Sequence, residues 1–231
     1  MRRAVELFNI EWRSACSPFV EEMWRARSEP EGSFLSVAET HWEIVVTTQR
    51  RAAQLTVRGP ATKSEIVPIP EDAEFFGIRF KHGTFMPDLQ PGTLLDSSLT
   101  LPEATRRSFW LNGGAWEVPT PDNADVFVDR LVRHGLLVHD AVASAALLGV
   151  VEGLSTRSVE RRVLRATGLT RGAVRQIRRA ELAVELLTTG LPALDVAHAA
   201  GYADQPHLIR SLRRYVGQTP SQIATPAAAL Q

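Results

Sequence analysis

Two stretches of this 231-residue sequence place arginines where a guanidinium could do the same work twice. Arg161, Val163, Arg165, Gly168 and Thr170 recur 49 residues later as Arg210, Leu212, Arg214, Gly217 and Thr219. The planar fork of arginine pairs bidentately with guanine O6 and N7 or clamps a phosphate, so a matched pair points to a polyanion, duplex DNA above all. The charge distribution agrees. The chain is neutral, with 26 basic and 26 acidic residues, but residues 154–217 hold 11 arginines against 5 acids and the remainder carries the opposite surplus. Segregation of this kind favours an anionic partner for the C-terminal part.

Other residues were weighed for chemistry. His41 and Glu43 share a strand face and His82 follows later, the types a cupin-like metal site uses. The six histidines are scattered, however, and solvated or capping roles are the expectation, with no metal and no other cofactor. Trp42, one of five tryptophans that all lie in the N-terminal half, and Arg79 are candidates to hold a small anionic effector; the rival roles are core aromatic and rim arginine. Cys16, the single cysteine, excludes an internal disulfide. It would be the nucleophile of a DNA-modifying or repair protein, the rival to a non-enzymatic reading, but no activating histidine stands near it in sequence. No phosphate-cradling loop or triad signature is present. The longest apolar run, Ala141 to Val151, is too short for the ~20 residues a membrane span needs. Glu6 and Glu11 interrupt any leader-like stretch, so a cytoplasmic protein with no membrane partner is expected.

These groups must be carried by two kinds of element. Residues 1–118 alternate or run β-branched, as in Ile44 to Val46, Gln54 to Arg58, and Phe76, Ile78 and Phe80 at period 2, which predicts mostly antiparallel β. Gly113, Gly114, Pro119 and Pro121 mark a boundary, and residues 122–231 are helical. Helix-turn-helix units are expected at about 141–168 and 193–217, with small residues and glycines letting their helices cross closely. Ser155 and Asp204 are candidate N-caps; Val159 with Val163, and Leu208 with Leu212 and Tyr215, form inner stripes. A spacer helix from about Gly172 to Leu187 would hold the units apart.

The stretch from Leu154 to Val163, with Gly201 to Arg210 and Gly217 to Pro220, resembles the DNA-binding domain of the AraC/XylS transcriptional regulators. Carried over position by position, the resemblance implies that Thr156, Arg157, Glu160 and Arg161 on one helix, and Gln205, Pro206, His207 and Arg210 on another, read bases in successive major grooves. Arg165, Arg178, Arg179 and Arg214 are expected at phosphates. Val163 and Leu212 stand where that family usually has phenylalanine, Glu152 where it has an apolar residue, and Pro206 where it has a small polar one. Phe76 to Phe85 is similar to the sensor part of a group of actinobacterial regulators of this type, which implies a small, cupin-like barrel that binds an effector or dimerises. The expected fold is therefore α+β, and the expected partners are double-stranded DNA, a small-molecule effector, RNA polymerase and a second copy of the chain. An effector-free dimeric regulator is the remaining alternative.

Overall fold

The computed structural model describes residues 10–15, 17–28, 32–105, 107–150 and 153–224. Its strands are β1 (Glu11–Ser14), β2 (Val20–Ser28), β3 (Gly32–Ser36), β4 (Glu43–Gln49), β5 (Ala52–Arg58), β6 (Glu65–Ile69), β7 (Ala73–Phe80), β8 (Thr84–Phe85), β9 (Ser98–Thr100), β10 (Glu103–Thr105), β11 (Ser108–Leu111), β12 (Gly114–Glu117) and β13 (Val138–His139). The helices are α1 (Ala124–Arg133), α2 (Ala141–Leu147), α3 (Thr156–Thr167), α4 (Arg171–Thr188), α5 (Ala193–Ala199), α6 (Gln205–Tyr215) and α7 (Pro220–Ala224).

The N-terminal region is mostly antiparallel β, as its alternation predicts. Six strands form one sheet in the order β1-β2-β7-β4-β5-β9, and Phe76, Ile78 and Phe80 all turn inward to burial. β4 and β5 are joined through Arg50 and Arg51, both at positive φ, the conformation a tight two-residue hairpin requires even though neither is glycine. Asn112 and Gly113 make the corresponding turn between β11 and β12, so the glycines expected to mark a domain boundary lie inside a hairpin.

The expected small barrel is corrected. Among the described strands β1 and β9 remain separate edges and no barrel closes. What covers the inner face is α1 and the β10-β11-β12 meander. Phe109, Trp116, Phe127, Val128 and Leu131 join Ile44, Ile78 and Phe80 in one cluster.

That packing includes α1, which follows the expected boundary after residue 118. α1 presents Phe127, Val128 and Leu131 to the sheet, and Leu136 and Leu137 follow into the same cluster. The helical region has cores of its own only from α2 onward. Leu131 is fully buried, so Leu131→Ala should cost about 2–5 kcal/mol. Chemical denaturation of the full chain measures the loss. Hydrogen exchange should show it as lost protection in β4 and β7, with the amides of α6 retained.

Candidate nucleic-acid interface

Two helix pairs, α2 with α3 and α5 with α6, occupy the expected positions. Their second helices start on the expected caps: Ser155 Oγ accepts from the Ser158 amide at 3.3 Å, and Asp204 Oδ1 from the His207 amide at 2.7 Å. Both end at a left-handed glycine, Gly168 at φ 72° and Gly217 at φ 75°. The separations differ, with residues 148–155 between the helices of the first unit and 200–204 between those of the second. Val159 and Val163 are buried in one unit and Leu208 and Leu212 in the other, while Tyr215 is half-buried. α4 lies between the units; its 18 residues span about 27 Å.

The structure brings the sequence-derived reading residues to two free faces. On α3, Thr156, Arg157 and Arg161 are exposed, whereas Glu160 is half-buried and faces Arg171 at 3.7 Å. On α6, Gln205, Pro206 and Arg210 are exposed, and His207 sets its ring edge-on against the buried Tyr202, with centroids 5.2 Å apart. Proline is tolerated at that point because the first helical turn has no intrahelical acceptor to lose. Arg214 is exposed beside Tyr215, and Arg165 extends over Phe85 at 5.3 Å.

Arg178 and Arg179, expected among the phosphate contacts, are placed otherwise. Arg178 donates from Nη1 to the Leu147 carbonyl at 2.8 Å and from Nη2 to His82 Nδ1 at 3.4 Å. Arg179 donates to the Gly201 carbonyl at 3.0 Å and to Gln176 Oε1, and its guanidinium lies 4.3 Å over the Tyr202 ring. Both arginines brace α4 against its neighbours. Their composition-level signal is identical to that of a solvent-facing arginine, so spacing along a basic helix cannot separate the two roles.

Trp42 and Arg79 also sit apart from open space. Trp42 is buried, stacked on Phe80 with centroids 4.2 Å apart, and its indole N–H donates to the Thr84 carbonyl at 2.7 Å. Arg79 pairs with Glu22 at 2.6 Å and Glu39 at 3.4 Å. Neither lines the surface cavity of about 250 Å³ formed by Glu11, Arg13, Met23, Arg25, Phe76 and Pro121 together with Trp12 and Trp24. Cys16 and Glu152 lie outside the described residues. Among the described residues no group of three or more His, Cys, Asp or Glu side chains is disposed to hold a metal ion, and no helix is long and apolar enough to cross a membrane.

Sequence reasoning missed a polar junction between the β region and α4. Glu39 Oε1 bonds His41 Nδ1 at 2.8 Å, the His41 and His82 rings lie 3.8 Å apart, and His82 bonds Thr40 Oγ1 at 2.9 Å through Nε2. Because Arg178 can only donate, His82 Nδ1 accepts and the Nε2–H donates to Thr40, which makes the imidazole neutral. Burial, with His41 and Arg178 nearby, pushes His82 down from its ordinary 6.5 to about 3, against the opposing Glu39 charge. Burial alone would raise Glu39, but the bond from His41 and the Arg79 charge win and hold it well below the usual carboxylate range. Glu181 on α4 is raised, first by burial and then by the Glu39 charge.

Residues 150–225 match the model of a helix-turn-helix domain. An alignment 123 positions long, covering 47% of this chain and 37% of its partner, shows 29% identity to the HTH-type transcriptional regulator RipA of Corynebacterium glutamicum. Structures of ToxT from Vibrio cholerae show a loose likeness: one covers 93% of this chain and 97% of its own at 8% identity and a TM-score of 0.41, another 94% and 99% at 9% identity and 0.38. The helical region is therefore a helix-turn-helix domain. It is of the AraC type, as its resemblance in sequence implied.

The junction should make folding stability depend on pH. An open junction leaves His82 near 6.5, and the closed one holds it at about 3, so the closed form binds fewer protons between these values. Its contribution is full above 6.5 and is lost as pH falls toward 3, while the raised Glu181 works in the opposite sense. His82→Gln isolates the histidine. From about pH 7 to about pH 5 the unfolding free energy of the wild type should fall further than that of His82→Gln. Parallel curves would show that His82 does not couple docking to pH.

Proposed function

We propose that the chain is a sequence-specific, DNA-binding transcriptional regulator in which α3 and α6 enter successive major grooves on one side of a duplex. The observation that carries this reading is the pair of capped helices whose outer faces expose Arg157 with Arg161 and Gln205 with Arg210. The spacing supports it. About 27 Å of α4, with the width of the units it joins, suits two readers one helical turn, roughly 34 Å, apart. The reading residues are Thr156, Arg157, Glu160, Arg161, Gln205, Pro206, His207 and Arg210. Arg165 and Arg214 are the phosphate contacts left free by the braces at Arg178 and Arg179. The DNA-binding part begins at α2, and residues 10–138 supply the contact between two copies and the place where a small effector acts.

For that effector, the cavity with an apolar floor at Met23 and Phe76 and a rim of Glu11, Arg13 and Arg25 is the better candidate than Trp42 and Arg79. Its chemistry suits a partly apolar ligand that carries charge. A panel of such compounds tested by thermal shift decides the point, since a ligand at 100 times its dissociation constant stabilises by ~2.7 kcal/mol. Sedimentation of the full chain tests the dimer.

The decisive experiment is selection of bound duplexes from random DNA with the full chain. No enriched sequence would overturn the reading. On the enriched site, Arg161→Ala and Arg210→Ala should each cost ~1–3 kcal/mol and relax preference at one or two base pairs, in different halves of the site. Arg214→Ala should instead weaken all sequences about equally and lower the salt slope by about one.

A further inference from the structure

The two units are matched in sequence but unequal in the cores that support their reading helices. α6 rests on a cluster built within the helical region, including Leu187, Val196, Tyr202, Leu208, Leu212 and Ile223. The β region meets α6 at its C-terminal end, where Ala38 and Ser64 donate backbone bonds to the carbonyls of Tyr215 and Arg214 at 2.7 and 2.8 Å and a Cβ on Gly217 would come within 2.9 Å of Leu35; Val37 packs on the edge of the cluster, whose buried members all come from the helical region. The buried cluster behind α3 consists of Ala143, Ala146, Val159, Val163, Ala166 and Phe85. Five of these belong to α2 and α3, and none of the five is larger than valine; Leu147 of α2 packs on the edge of the cluster, half-buried. Phe85 belongs to β8.

We propose that Phe85 is a positioning residue for DNA reading: it completes the core of the first unit from outside, so α3 holds its reading geometry only while β8 is docked, whereas α6 reads independently of the β region. This rests on the DNA-binding reading above. β8 is well placed to transmit the state of the β region. Phe85 pairs with Val138, the preceding Thr84 carbonyl takes the Trp42 indole N–H at 2.7 Å, and Thr84 Oγ1 bonds His139 Nδ1 at 3.1 Å. Two further contacts hold α3 to the same region. Arg165 covers the outer face of Phe85 at 5.3 Å, and the glycine ending α3 is pressed so closely on the segment Pro91–Leu94 that a Cβ on Gly168 would come within 2.6 Å of the Gly92 nitrogen.

The test uses the full chain and the site enriched from random DNA, with its halves assigned by Arg161→Ala and Arg210→Ala. Base-substitution profiles are measured for the wild type, Phe85→Leu, Phe85→Ala, and Phe85→Ala combined with Val163→Phe, which returns an aromatic ring to the same cluster from within α3. Phe85→Ala should lose roughly tenfold or more of the discrimination in the Arg161 half and keep that in the Arg210 half. Phe85→Leu and the double variant should recover part of it. Hydrogen exchange on Phe85→Ala should show lost protection in α3 with α6 retained. Equal loss in both halves, an unchanged profile, or collapse of α6 together with α3 overturns the proposal. Failure of the wild type to enrich any sequence would instead sink the DNA-binding reading itself.

Discussion

The hydrogen bond from the Trp42 indole to the Thr84 carbonyl holds β8 within the β region at the place where that region meets the first helix-turn-helix unit. Trp42 belongs to the β core through its stack on Phe80, and Thr84 is the residue before the one that fills the first helix-turn-helix unit. A buried tryptophan N–H needs an acceptor, since leaving such a donor unpaired costs about 1–3 kcal/mol. Meeting that need fixes β8 against the sheet, and β8 in turn presents Phe85 to α2 and α3. A side chain weighed at first as an effector contact thus serves as the anchor of a domain junction.

The polar part of that junction serves a second purpose. Glu39, His41, His82 and Arg178 are held together at partly buried positions, where a charge is tolerated only with a partner. Such groups add little net stability over an apolar packing, but they fix one docking geometry, because any other leaves a buried donor or acceptor unpaired. Arg178 illustrates the constraint. Its two bonds reach the end of α2 and the loop after β7, so α4 cannot slide along the β region without breaking one of them.

How much of this was legible in the sequence depends on the distance between partners along the chain. The caps at Ser155 and Asp204, the glycines at 168 and 217, and the inner stripes are local patterns within a turn or two, and each appears in the structure where spacing put it. α1 was legible as a helix but not as a member of the β core. An amphipathic stripe says that a face is buried, not against what. The barrel failed for a related reason: alternation specifies strands and their faces, whereas closure depends on whether two edges far apart in sequence meet. Phe85 lies 78 residues before Val163, and no periodicity links them.

The inequality of the two units follows from side-chain volume. Fully burying a leucine- or isoleucine-sized side chain stabilises by ~1.5–3 kcal/mol, and α6 rests on several such residues supplied by its own region. An alanine contributes far less, and the first unit is built on three of them with two valines. Small side chains on α2 and α3 let the helices approach closely, but the turn between them is longer, and part of the space behind them is filled from outside. A core that must borrow its largest member is stable only with the lender in place. The same feature that makes the first unit weak on its own therefore makes it the one of the two whose buried core includes a residue of the β region.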